Sequence, residues 1–218
     1  MILVKFEFEE LKQDAVKLWN EAFGDSEEYI DFFHSVHDLC FCLMLTEGDE
    51  LTSALYLIDG ELCGKQGYYL FAAATFKKFR GRGYMASLLK KAECFAKDNG
   101  KSFIALVPAE GTLFDYYSRF GYKTAFYAKK QPLTEKINDA ENRFIWCSAH
   151  TEYIMREHEK YGTDIYEKDG VIYSVFDGKY IKVPAEKSEA YRYGMLLPLD
   201  NGADKLTKLN SYIGLTLE

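Results

Sequence analysis

The segment Arg80-Gly81-Arg82-Gly83 carries the residue types and spacing that point most directly to chemistry. Two glycines let main-chain N–H groups approach an anion with no Cβ between them, and two arginines add positive charge at the rim. The run before it, Tyr68 to Phe76, reads as a strand, and the run from Gly83 to Asp98 reads as a helix. A turn placed there aims several N–H groups and the positive end of a helix dipole at one point, which suits a diphosphate. Taken alone, the same four residues also make an ordinary basic turn that binds nothing. Neither a Gly-x-x-x-x-Gly-Lys run nor a Gly-x-Gly-x-x-Gly run occurs, which argues against a P-loop nucleotidase and a dinucleotide dehydrogenase.

The surrounding elements follow from hydrophobic periodicity. Leu11, Ala15, Leu18, Trp19 and Ala22 predict a helix over 9–23 that ends at Gly24. Asp25-Ser26-Glu27-Glu28 then has the composition of a helix start and leads to Tyr29, Phe32, Phe33 and Val36. The runs Cys40 to Thr46 and Leu51 to Ile58 predict a hairpin across Glu47-Gly48-Asp49-Glu50. Tyr68 to Phe76, the helix striped with Met85, Leu88, Leu89, Ala92 and Phe95, and a strand over 102–107 form a strand-helix-strand unit, which favours parallel pairing. A short helix over 113–120 and a strand over 122–128 come next, and 134–142 reads as a polar connector.

With these elements in place, the segment resembles motif A of the GNAT (GCN5-related) N-acetyltransferase family. The family's Q/R-x-x-G-x-G/A appears as Arg80-Gly81-Arg82-Gly83-Tyr84-Met85, departing at Met85, whose longer side chain is expected to narrow the diphosphate groove. Leu113 to Tyr122 resembles the family's tyrosine-bearing helix followed by a Gly-aromatic step, here Gly121-Tyr122. The resemblance implies an α/β (α+β) fold, a mixed sheet whose two parallel central strands splay apart, flanked by helices. It implies acetyl-CoA as cosubstrate, held by Arg80 to Met85 and by main-chain groups near Ala74, Thr75 and Phe76. It further implies Tyr117 as the general acid that protonates the departing thiolate. Glu110 stands where many relatives carry a cofactor-touching Asn, and it is the first candidate for the base, ahead of Glu61 and Glu218.

Each residue also has a plainer reading. Ala72 and Ala73 suit small packing positions under a helix, Tyr117 a core tyrosine, and Glu110 an acid at a helix start. Asp25, Glu27, Glu28 and Asp31 lie where relatives contact the acceptor and are equally explained as solvated helix-start acids. The leading reading is an N-acetyltransferase acting on a small-molecule or peptide amine. A non-catalytic acyl-CoA-binding module is the alternative.

Composition is compatible with this. A net charge of −7 argues against general nucleic-acid binding. The N-terminal run Met1 to Phe8 does not read as a signal peptide, and no apolar run approaches the roughly 20 residues that cross a bilayer, so a soluble cytoplasmic protein is expected. Five scattered cysteines (Cys40, Cys42, Cys63, Cys94, Cys147) suggest neither a disulfide framework nor a metal site, and His34 and His37 lack a third ligand.

A division at 1–132 and 133–218 is expected. The second part has a helix over 149–161, then strand runs punctuated by Lys168-Asp169-Gly170 and Asp177-Gly178. Phe176-Asp177-Gly178 loosely echoes Ile58-Asp59-Gly60, as a partial internal repeat would. The runs Met195 to Leu199 and Tyr212 to Leu217 are expected to extend the first sheet. The tyrosines at 161, 166, 173, 180, 191, 193 and 212 either wall the acceptor pocket, pack a core, or make a dimer contact.

Overall fold

The structure is a computed structural model that describes residues 2–4, 9–36, 40–137, 142–168, 171–185, 190–209 and 211–215. Met1, 5–8, His37, 138–141, Asp169, Gly170, 216–217 and Glu218, invoked above, lie outside the described residues.

Strand β1 (Ile2–Val4) is followed by helices α1 (Glu9–Phe23) and α2 (Glu27–Val36). Gly24 leaves α1 with φ 82°, and the Ser26 hydroxyl accepts the Tyr29 amide at 3.2 Å, so one residue stops a helix and another caps the next. Strands β2 (Phe41–Glu47), β3 (Glu50–Leu62) and β4 (Lys65–Thr75) then run antiparallel. Helix α3 (Tyr84–Asp98) carries the chain to β5 (Phe103–Leu106), which pairs parallel with β4. Helix α4 (Gly111–Ser118) and β6 (Lys123–Pro132) complete the first part. Beyond it come β7 (Asn142–Trp146), α5 (Ser148–Tyr161), β8 (Ile165–Lys168), β9 (Val171–Phe176), β10 (Tyr180–Pro184), β11 (Tyr191–Pro198) and β12 (Ser211–Tyr212).

Among the described residues the main sheet path is β1-β2-β3-β4-β5-β11-β6-β10-β9-β8. Strand β11 enters between β5 and β6, antiparallel to both, so residues late in the chain sit beside the central parallel pair. Gly194 permits this approach, since a Cβ there would stand 3.0 Å from the Leu106 carbonyl oxygen. Strand β7, which starts at the last residue of the expected connector 134–142, pairs with β3 at Gly60 to Leu62. The two Asp-Gly pairs differ in role: Asp59-Gly60 runs inside β3, whereas Asp177-Gly178 makes the turn from β9 to β10.

The sheet separates two cores. On one face Leu18, Trp19, Phe33, Tyr69, Phe103 and Tyr153 pack under α1, α2 and α5. On the other, Tyr68, Leu88, Leu89, Leu106, Phe114 and Tyr117 pack under α3 and α4. Full burial of each such side chain contributes about 1.5–3 kcal/mol, so both faces hold the central strands in place.

Candidate active site

The site begins where the parallel pair stops pairing. Strands β4 and β5 are in register at Gly67–Phe103, Tyr68–Ile104 and Tyr69–Ala105, and beyond Tyr69 strand β4 continues along β3 alone. A bulge follows. The register with β3 jumps from Phe71–Tyr56 to Ala74–Ala54, and Ala72 takes φ 46°, a left-handed conformation that costs a non-glycine residue about 1–2 kcal/mol. The extra residue breaks the alternation of the ladder and frees main-chain groups at Ala72 and Ala73 from β3.

Between the parted strands lies a cavity of about 570 Å³. Ala72, Ala73, Leu106 to Gly111 and Tyr117 line it, joined by Trp19, Phe23, Asp25, Tyr29 and Phe71 and by Lys182, Tyr191, Arg192 and Tyr193. Of the tail tyrosines singled out in the sequence, only Tyr191 and Tyr193 belong to this lining. Trp19 and Phe23 reach the site from α1, Phe71 from β4, Lys182 from β10 and Arg192 from β11, and none carries a local signature.

Tyr117, on α4, is 8% exposed. Burial, with a smaller contribution from neighbouring Tyr116, pushes its phenol up to about 12. It therefore keeps its proton throughout the neutral range. Glu110 lines the cavity from its exposed position just before α4, and its carboxylate accepts the Thr112 hydroxyl at 3.4 Å rather than capping the helix. Asp25 lines the cavity with one oxygen held by the Trp19 indole N–H at 2.7 Å.

The other acids stand elsewhere. Glu28 pairs with Lys160 at 3.0 Å, Asp31 lies 3.9 Å from Lys12, and Glu61 accepts the Gln66 amide at 2.7 Å. His34 is a core residue, its Nε2 3.1 Å from the Tyr56 hydroxyl.

The basic turn stands at the end of β4, outside the cavity lining. Arg80 Nε donates to the Thr75 carbonyl at 3.1 Å and ties the turn to the strand. Gly81 and Gly83 have φ of 79° and 81°, which a side chain would strain. The Ser87 amide donates to Gly83 O at 3.0 Å, which begins α3 and leaves the preceding amides, through those of Tyr84 and Met85, without intrahelical partners.

Arg82 is exposed, 3.9 Å from the Glu47 carboxylate, and Tyr84 donates to the same carboxylate at 2.5 Å. Thr75 and Ala74 lie in β4 beyond the bulge, whereas the Phe76 amide already donates to Thr52 O at 3.1 Å. The Met85 side chain, half-buried, packs against the core under α3 and α4.

The sheet thus opens between two parallel strands, with a glycine turn beyond one strand end and a buried phenol in the gap. Residues 7–125 match the family model described as Acetyltransferase (GNAT) domain. The chain belongs to that family.

Solved structures agree on the fold. A GCN5-related N-acetyltransferase from Kribbella flavida superposes with a TM-score of 0.58 at 16% identity over 91% of this chain and 72% of its own. Eis1 from Mycobacterium abscessus gives 0.55 at 12% identity over 86% and 54%. A probable N-acyltransferase from Enterococcus faecalis V583 gives 0.50 at 14% identity over 64% and 37%. The chain thus spans about half the length of the second and little more than a third of the third. No curated protein sequence matches it. Among the described residues no helix is long and apolar enough to cross a membrane, and no three His, Cys, Asp or Glu side chains are grouped as metal ligands.

Proposed function

We propose that the protein moves the acetyl group of acetyl-CoA to a primary amine by direct attack, with Tyr117 as general acid. The observation that carries this reading is the coincidence, in one cavity, of the Ala72 bulge, the end of β5 and a phenol held protonated. In this reading the amides of Gly81 to Met85 receive the pyrophosphate, with Arg80 and Arg82 supplying charge. Main-chain groups from Ala72 to Thr75 pair with the pantetheine arm, and an N–H at the bulge polarises the thioester carbonyl. The amine nitrogen forms its bond to the carbonyl carbon, the carbon–sulfur bond breaks, and the thiolate takes the Tyr117 proton. No covalent enzyme intermediate is needed, so the five cysteines have no catalytic part. Glu110, exposed at the mouth, draws in the cationic amine.

The division at 1–132 and 133–218 has a functional meaning here: the first part holds acetyl-CoA and the second contributes Lys182 and Tyr191 to Tyr193 as an aromatic wall for the acceptor. The test is acetyl-CoA with a panel of primary amines, read by release of free thiol. An enzyme loses turnover on Tyr117→Phe while keeping its affinity for acetyl-CoA, and thiol release no faster than without amine contradicts the proposal.

A further inference from the structure

Tyr29, which lines the cavity, donates its hydroxyl to Glu157 Oε1 at 2.7 Å, across 128 positions of sequence. Tyr153, fully buried on α5, lies 2.8 Å from the same carboxylate oxygen and 2.7 Å from the Tyr29 hydroxyl. Two phenols thus converge on one carboxylate oxygen, and only Tyr29 belongs to the cavity wall. A carboxylate oxygen accepts hydrogen bonds from hydroxyls, and here one of those hydroxyls, that of Tyr29, reaches the cavity. Glu157 lies beyond the segment that matches the family model, which ends at residue 125.

We propose that Glu157, acting through the Tyr29 hydroxyl, takes the proton of the attacking amine. The proposal rests on the acetyl-transfer reading above. The step balances without a co-reactant: one proton of the bound ammonium passes to Tyr29 Oη, the Tyr29 proton passes to Glu157 Oε1, and Tyr29 ends as it began, a neutral phenol. The nitrogen lone pair so released forms the bond to the carbonyl carbon, and the second N–H proton, acidified in the tetrahedral intermediate, replaces the one that Tyr117 gives to the thiolate. Burial raises the Tyr29 phenol well above its ordinary range, which favours a hydroxyl that hands protons on over a phenolate. Glu157 and Tyr29 are positioning and relay residues, distinct from the solvent-side Glu110.

The charged and titratable groups facing the relay are few. Asp25 stands by Tyr29 from the α1–α2 connection, and the Glu28–Lys160 pair bridges α2 and α5 at 3.0 Å. Tyr161 packs on Tyr29 with ring centres 5.7 Å apart, and His150 lies 6.3 Å from the Tyr153 ring. His158, next in sequence to Glu157, is bonded to the Thr163 carbonyl.

The test compares pH profiles of kcat and KM for the wild type, Glu157→Gln, Tyr29→Phe, Tyr153→Phe and Glu110→Gln, using 2-phenylethylamine and spermidine as probe amines. Gln at 157 still accepts both phenol hydrogen bonds but cannot take up a proton, so its Tm stays near that of the wild type. With the relay cut, the amine must lose its proton to solvent. The expected result is about a 100-fold fall in kcat at pH 7, with the KM for acetyl-CoA unchanged and a deficit that shrinks as pH approaches the amine's own pKa near 10. Tyr29→Phe gives the same profile, the double variant is no worse than either single one, and Tyr153→Phe costs little.

A pH-independent loss in Glu157→Gln marks a merely structural role and overturns the relay, as does an unchanged rate in that variant. A dominant loss in Glu110→Gln alone overturns it in favour of the solvent-side base. If the wild type transfers to neither amine nor to the wider panel, the acetyl-transfer reading itself fails, an outcome distinct from a wild type that turns over with an indifferent Glu157.

Discussion

The two sides of the parted strands are built in opposite ways. From the end of β4 to the start of α3 the key features are main-chain conformations in one stretch of chain: the Ala72 bulge, the left-handed Gly81 and Gly83, and the amides that open α3. On the α1, α2 and α5 side they are side chains brought together from distant places, with Trp19, Tyr29 and Phe71 facing Lys182 and Tyr193. Backbone recognition of a common cosubstrate needs small residues at fixed local spacing. Recognition of an acceptor needs only shape and polarity, which any segment that reaches the cavity can supply.

The sharpest way to break this comparison is Tyr117→Phe. It should lower kcat by about 100-fold or more with the KM for acetyl-CoA within twofold, because only a transition-state proton is lost. Equal losses in kcat and acetyl-CoA affinity would place Tyr117 in binding instead. Phe71→Ala should act on the other side, raising the KM of the acceptor about tenfold and leaving that of acetyl-CoA alone, in keeping with the burial of one aromatic face.

Gly194→Ala probes the join between the two sides, since the added methyl group meets the Leu106 carbonyl oxygen at 3.0 Å. A loss of about 1–3 kcal/mol in thermal or denaturant unfolding is expected, with acceptor KM more affected than acetyl-CoA KM. The smallest effect belongs to Glu47→Gln. Removing the carboxylate that engages Arg82 and Tyr84 should tighten acetyl-CoA about two- to threefold, a change expected to fade at high salt.

Alkaline pH offers a separate check on Tyr117. Its folded-state pKa of about 12 lies above the ordinary 10 of an unfolded tyrosine. Between those values the unfolded chain has released the proton and the native chain has kept it, so the stabilisation is complete below pH 10 and is lost as pH climbs toward 12. Wild-type unfolding free energy should fall more steeply across that window than that of Tyr117→Phe.

What the sequence made legible follows the same division. Arg80 to Met85 and Leu113 to Tyr122 announce the cofactor side because glycine and tyrosine are needed there at set positions, and α1 and α5 are visible from their apolar stripes. Strand β7 escaped because five residues, Asn-Arg-Phe-Ile-Trp, are too short to show alternation, and its partners in β3 and β12 are remote. That the Phe76 amide is spent on Thr52 could not be read locally either, because its partner lies in β3. The insertion of β11 beside β5 is likewise a matter of topology, and with it the arrival of Lys182 and Tyr193 at the cavity. Tyr29 and Glu157 meet only because α5 packs on α2.

The central claim is that the amides opening α3 hold the pyrophosphate of acetyl-CoA. Calorimetric titration of acetyl-CoA into the wild type and into Gly83→Val tests it most directly. The account predicts saturable one-to-one binding with a Kd on the order of micromolar to tens of micromolar, weakened about tenfold by a side chain at φ 81°. No binding heat and no thermal shift for the wild type, or equal affinity in the valine variant, would contradict it.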